Sequence, residues 1–169
     1  MAEKYTSKDL QKWLFDKALE AAGPKARKLL LASDQRGRED ALIGRLYFFK
    51  YDPKGKAYLP KYDRFPMVFP IETYQNGFLG LNLHYLDVGQ RQSLLGQLIR
   101  FANDKKMDEN TRLKLSYDLL QGSRRLNSLA RPCIKRYLFN HCRSQFIEIY
   151  INEYDKAIQL PVEDWVFKR

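Results

Sequence analysis

The stretch from Tyr47 to Leu86, YFFKYDPKGKAYLPKYDRFPMVFPIETYQNGFLGLNLHYL, constrains this 169-residue chain more than any other. It carries four of the seven prolines, two turn signals and a dense run of aromatic rings, with almost no group suited to catalysis. Asp52-Pro53-Lys54-Gly55 places Pro and Gly where a β-turn favours them. Asn76-Gly77 is the strongest short hairpin signal a sequence offers. Around these turns the apolar residues alternate with period two. Leu42, Leu46 and Phe48 oppose Arg45, Tyr47 and Phe49, and Phe78, Gly80, Asn82 and His84 oppose Leu79, Leu81, Leu83 and Tyr85. Gly80 and Asn82 between larger neighbours predict close approach of another backbone or a partner on the first of those faces. Residues 67–71 read as a strand bracketed by Pro66 and Pro70. Proline cannot donate to a ladder, so the expectation is an edge strand or a very short one.

Outside this β unit the period changes to that of helices. Ser7 reads as an N-cap, followed by Leu10, Trp13, Leu14 and Ala18 at helical spacing and by Asp9 in the first turn, where the helix dipole favours an anion. Gly23-Pro24 breaks this helix, residues 25–32 form a short second one, and polar residues 33–40 read as a linker. Residues 88–103 form an amphipathic helix. Asp108 caps another over 109–121, ended by Gly122. Pro132 opens a third over 133–142, with Ile134, Leu138 and Phe139 inward. Residues 146–151 and 156–160 read as two strands around a turn, and a terminal helical turn holds Trp165 and Phe167. The fold class is therefore α+β: a small antiparallel β unit of hairpins, of the SH3- or OB-like barrel kind, with an N-terminal helical arm (1–40), C-terminal helices and a single body over 41–169.

Composition limits the function classes. At 44% hydrophobic residues a chain of this length builds one core. No apolar run approaches the roughly 18 residues that span a bilayer. The first residues lack the apolar region of a secretory signal, so synthesis in a reducing cytoplasm is expected and no membrane partner is implied. Cys133 and Cys142, nine residues apart on one expected helix, point to different faces and form neither a disulfide nor a C-x₂₋₄-C zinc pair.

The formal net charge is +10 and unevenly placed. Residues 87–142 carry eleven Lys and Arg against five acids, and no acid occurs between Asp118 and Glu148. Arg124, Arg125, Arg131, Lys135, Arg136 and Arg143 all fall there. Such a one-signed patch attracts phosphate backbones or an acidic protein surface. In the β unit, Tyr47, Tyr51, Tyr58, Tyr62, Phe65, Tyr74, Phe78 and Tyr85 interleave with Lys50, Lys54, Lys56, Lys61 and Arg64. Three roles suit such rings: stacking with single-stranded nucleic acid, docking on other proteins, or covering the core of a small barrel.

Catalytic constellations are not visible. The two histidines, His84 and His141, lack a nucleophile motif, and no phosphate-cradling glycine loop precedes a helix. Asp52 and Asp63 are the acids that a metal-dependent nuclease could use, although in turns Asp usually bonds nearby backbone. No catalytic residue, metal ligand or cofactor is assigned.

Three strings, YDPKGKAYLPKYDRFPMVFPI (51–71), GFLGLNLHYL (77–86) and RPCIKRYLFNHCRSQFIEI (131–149) with LPVEDW (160–165), together resemble small proteins from the structural and assembly regions of T4-like, contractile-tailed bacteriophages. The resemblance spans residues 44–165 and leaves the N-terminal helices outside. It implies a non-enzymatic particle or assembly component, made in the host cytoplasm and located in the virion. Such a component docks on other virion proteins in a symmetric array through the aromatic β unit and contacts DNA or an acidic subunit through the basic region. A DNA end-protecting accessory protein is the alternative, and a divergent nuclease a further one.

Overall fold

A computed structural model describes residues 5–22, 44–55, 57–59, 61–126, 133–144, 146–160 and 166–168. Among these, helix α1 spans Ser7–Ala22, followed by strands β1 (Leu46–Phe48), β2 (Lys61–Asp63), β3 (Met67–Tyr74) and β4 (Gly77–Asn82). Helices α2 (Val88–Asn103) and α3 (Glu109–Leu126) come next, then β5 (Ile134–Leu138), β6 (Ile147–Ile149), the short helix α4 (Tyr154–Gln159) and β7 (Val166–Lys168). The fold is α+β, as the sequence predicts. The short helix and linker expected at 25–40 lie outside the described residues.

Five strands form one antiparallel sheet in the order β5-β4-β3-β1-β6, and β2 pairs separately with β7. Alternation along the strands sorts the side chains into two cores. Leu46, Phe48, Met67, Phe69, Ile71 and Leu81 join the helices in the larger core. Tyr47, Phe49, Tyr51, Val68, Phe78 and Tyr137 form a second, largely aromatic one on the other face. Helix α1 contributes Leu10, Trp13 and Leu14 to the larger core. Trp13 Nε1 donates to Glu153 at 3.1 Å and Lys17 pairs with the same carboxylate at 2.8 Å. This helix therefore packs on the body.

The aromatic core is enclosed by a bend in the chain after β5. A 3₁₀ turn, Phe139–His141, carries the chain from β4's edge across to β1's, where Cys142 bridges Tyr51 and Arg143 N donates to Lys50 O at 2.8 Å. The chain then runs on into β6, beside β1. The two edges of the sheet are thus occupied by successive parts of one segment, and the sheet curls around Phe49, which meets Tyr51, Phe78, Tyr137 and Phe146 edge-on at 4.5–6.1 Å. Such T-shaped pairs add about 0.5–1.5 kcal/mol each to the burial of the rings.

Several expectations are corrected. Thr6, not Ser7, caps α1: its hydroxyl accepts from Asp9 N while Asp9 accepts from Thr6 N. Strand β3 is central, between β4 and β1, despite its prolines. Its pairing with β1 stops at Val68, before Pro70, and a bulge between Pro70 and Glu72 absorbs the irregularity on the β4 side. The hairpin falls where Asn76-Gly77 predicts, but Asn76 has no positive φ. Gly77 is required instead because a Cβ there would collide with the backbone carbonyl of Tyr137 on β5. Helix α3 runs through Gly122, whose side-chain position faces open space, to Leu126.

Residues 133–142 are mainly strand, not helix, because β4 offers a complete ladder from Gly77↔Leu138 to Leu81↔Ile134. Residues 154–159 are helical rather than extended. Arg91, buried in α2, donates Nη1 to Ala157 O at 3.1 Å and Leu160 O at 2.9 Å, satisfying the carbonyl end of that short helix. The terminal segment 166–168 is a strand on β2 rather than a helical turn. Arg91→Ala leaves those two carbonyls without a donor and opens a cavity, so it should lower stability by about 3 kcal/mol. Urea unfolding measures this, and an unchanged midpoint contradicts the assigned role.

Candidate nucleic-acid interface

The bend after β5 leaves a cleft of about 550 Å³ on the aromatic side of the sheet. One wall is the loop after β1, with Pro53, Lys54, Gly55 and Leu59; the other is β5, with Lys135, Arg136 and Tyr137. Tyr62 and Tyr85 complete its sides. The turn is closed by Tyr58 N and Leu59 N, both donating to Gly55 O at 2.9 and 3.0 Å, and it holds the Tyr58 ring 92% exposed.

The floor is a buried polar network joining four segments. Asp63 accepts from Phe65 N at 2.9 Å through one carboxylate oxygen, and from Asn82 Nδ2 at 3.2 Å and His84 Nδ1 at 2.5 Å through the other. Asn82 Nδ2 also donates to the Tyr137 hydroxyl at 3.1 Å, and Asn82 Oδ1 accepts from His84 N at 2.9 Å. Asp63, Asn82, His84 and Tyr137 are all at most 5% exposed. A carboxylate only accepts, so His84 Nδ1 is the donor of this pair. This network fixes β2 against β4 and β5 and sets the depth of the cleft.

The cations at the rim are held by rings. Lys135 Nζ lies 4.6 Å from the Tyr85 centroid, and Arg136 lies 4.9 Å from that of Tyr74 and donates to Asn76 Oδ1 at 3.1 Å. Such contacts cost the cations little of their outward field while limiting their rotamers. A neighbouring hollow, lined by Lys50, Arg64, Arg143 and Asp52, shares Tyr51, Pro53 and Tyr62 with the cleft. Arg143 Nη2 stands 3.8 Å from Asp52 Oδ2 and is half exposed. Burial pushes the Tyr85 hydroxyl up to about 12 and that of Tyr137 well above its usual value, so both stay protonated donors at neutral pH.

The residues singled out by sequence divide accordingly. Lys135 and Arg136 lie together at the cleft and Arg143 at the adjoining hollow. Arg124 and Arg125 end α3, which packs on β3 from the helical side, and their side chains, like all of Arg131, lie outside the described residues. Tyr51, Tyr62 and Tyr85 line the cleft and Tyr74 supports Arg136. Tyr47 and Phe78 are buried in the aromatic core and Phe65 stacks on Phe48 at 5.8 Å. The residues sequence reasoning missed are Asn82, His84 and Tyr137, which stand far from Asp63 in the chain. The visible signal was an asparagine and a histidine on the same face of an otherwise apolar strand.

As for nuclease chemistry, Asp63 has both carboxylate oxygens engaged by protein donors, and Asp52 faces Arg143. Among the described residues no group of three or more His, Cys, Asp or Glu side chains is placed to hold a metal ion. Cys133 and Cys142 are free, and Cys133 Sγ donates to Tyr85 O at 3.1 Å. Among the same residues no helix is long and apolar enough to cross a membrane.

Comparison with protein families decides the setting: the family described as phage T4 terminal DNA protecting protein matches residues 25–169. The chain belongs to this family. The match begins at Lys25, earlier than the resemblance read from the strings above, and takes in the whole cleft. It supports the phage setting of that resemblance and not a structural member of the contractile tail. No curated protein and no solved structure matches the chain.

The floor network yields a direct expectation. Asp63→Ala removes the acceptor of three donors, two of them buried, and should cost about 3 kcal/mol and loosen β2 from the sheet. Hydrogen exchange at Phe65 N and His84 N reads this, and retained protection at both amides contradicts it.

Proposed function

We propose that this chain binds the ends of phage DNA and shields them from nucleolytic attack, without catalysis of its own. The family description names terminal DNA protection. The observation that carries the reading to this structure is the joined pair of hollows, where Lys54, Lys135 and Arg136 adjoin Lys50, Arg64 and Arg143 around a shared Tyr51–Pro53–Tyr62 ridge. Six cations lining two adjoining hollows suit a phosphate backbone, and the rings between them suit bases. Of the two acids at the same place, Asp63 is internal and Asp52 is faced by Arg143, so the field at the surface is positive.

An exonuclease must engage the terminal nucleotide, so a protein seated on the end blocks it by occupancy alone. A protector of packaged DNA travels with the DNA, which puts this chain in the particle, beside other virion proteins. Exposed Phe15, Leu19 and Tyr150 supply apolar area for such neighbours.

Incubation of linear duplex with the protein before adding a processive exonuclease should slow digestion at least tenfold once each end is saturated. Digestion at the unprotected rate with the protein bound overturns the reading. Each cation that meets a phosphate contributes about −0.9 to the slope of log K against log salt. The triple variant Lys135→Ala, Arg136→Ala, Arg143→Ala should therefore flatten that slope by about 3. A slope equal to that of the wild type places the phosphates elsewhere. Mass spectrometry of purified particles should find the chain, and its absence removes the virion location.

A further inference from the structure

Phosphate attraction explains binding to any duplex, yet the cleft has features that a duplex backbone does not use. It is deep enough to reach a buried floor, its volume of about 550 Å³ is that of a pocket for a compact organic ligand, and its sides are the rings of Tyr62 and Tyr85. At the floor, the Tyr137 side chain is 4% exposed. Its hydroxyl accepts from Asn82, and its own proton has no acceptor among the described residues. A buried donor held by Asn82 in a residue that lines the cleft is poised for an acceptor from outside. Lys54, Lys135 and Arg136 line the same cleft, and cations there suit a phosphate.

A cleft of about 550 Å³ has the size for one compact ligand, and a single unpaired nucleotide is a ligand of that kind. Resting on the end-protection reading above, we propose that this cleft captures a single unpaired terminal nucleotide. The base lies between Tyr62 and Tyr85 with one of its acceptor atoms on the Tyr137 hydroxyl, and its phosphate meets Lys54, Lys135 and Arg136. Exposed Tyr58, on the loop that forms one wall, offers a third ring.

The requirement for an unpaired nucleotide supplies end selectivity from physics alone. Drawing a nucleotide out of the interior of a duplex costs pairing and stacking on both sides, a penalty that is least for a base already single-stranded. At a terminus one stacking neighbour is missing and the pair frays. A cleft built for one loose nucleotide therefore prefers ends, while the surrounding cations bind the adjoining backbone without regard to sequence.

The test compares affinities of the full chain, by fluorescence anisotropy at fixed salt, for three short duplexes of one sequence. One is blunt, one carries a single unpaired nucleotide at its end, and one is closed by hairpin loops at both ends. The unpaired end should bind about tenfold more tightly than the closed duplex, with the blunt end between. Tyr62→Ala and Tyr85→Ala should each reduce that preference to about twofold or less, and Tyr62→Phe, which keeps the ring, should restore it. Equal affinity for the open and closed duplexes overturns the nucleotide pocket while leaving DNA binding intact. A preference that survives Tyr62→Ala and Tyr85→Ala in folded protein overturns the cleft as its seat. Failure to bind any of the three overturns the end-protection reading itself.

Discussion

Residues 134–149 pair first with β4 and then with β1, and the rest of the molecule depends on that crossing. Without it, Phe49, Phe78 and Tyr137 would form the exposed face of an ordinary helix-backed sheet. With it, they become a second core, and the sheet is buried on both faces. Tyr51 fastens the crossing from inside: its hydroxyl accepts from Leu138 N at 3.0 Å while its backbone bridges Cys142. Closure is incomplete, and the opening is the cleft. The proposed binding surface is thus a by-product of how the sheet is closed, with Lys135 and Arg136 carried to the rim by the same strand that supplies Tyr137 to the core.

The polar network beneath the cleft works to the same end. Buried polar groups are costly unless every partner is present, and when satisfied they specify one arrangement. Asp63, Asn82 and His84 meet this condition at nearly all of their atoms, His84 Nε2 being without a protein partner among the described residues. Because the network joins β2, β4 and β5, the floor of the cleft is held firmly to its β5 wall. A rigid cleft loses less entropy on binding than one that must be ordered first.

Much of this fold was legible in the sequence. Alternation at 46–49 separated the two cores correctly, and helical spacing located α1, α2 and α3. The failures share a cause, because short segments are decided by their neighbours. Ile134, Leu138 and Phe139 fit a helical face, yet Ile134, Arg136 and Leu138 fit a strand equally, and the free edge of β4 decided between them. Residues 154–159 became helical under the guanidinium of Arg91, a residue more than sixty positions away. Pro70 argued for an edge, but a bulge let a central strand accommodate it. At the site, charge and aromatic content were visible while the grouping was not. The sequence suggested something approaching the face of Gly80, Asn82 and His84, and it proves to be the chain itself: Val68 closes on Gly80, Asp63 meets Asn82 and His84, and Tyr137 meets Asn82.

The central claim is that the end of the DNA lies in the cleft between β5 and the loop after β1. Photo-crosslinking tests it most directly, with a halogenated base placed at the terminal position of one duplex and at an interior position of another, and the crosslinked residue identified by mass spectrometry. The account predicts efficient crosslinking from the terminal base to Tyr58, Tyr62 or Tyr85, and little from the interior base. Crosslinks of equal yield from both positions, or a terminal crosslink to α2 or α3 on the opposite face of the sheet, would contradict it.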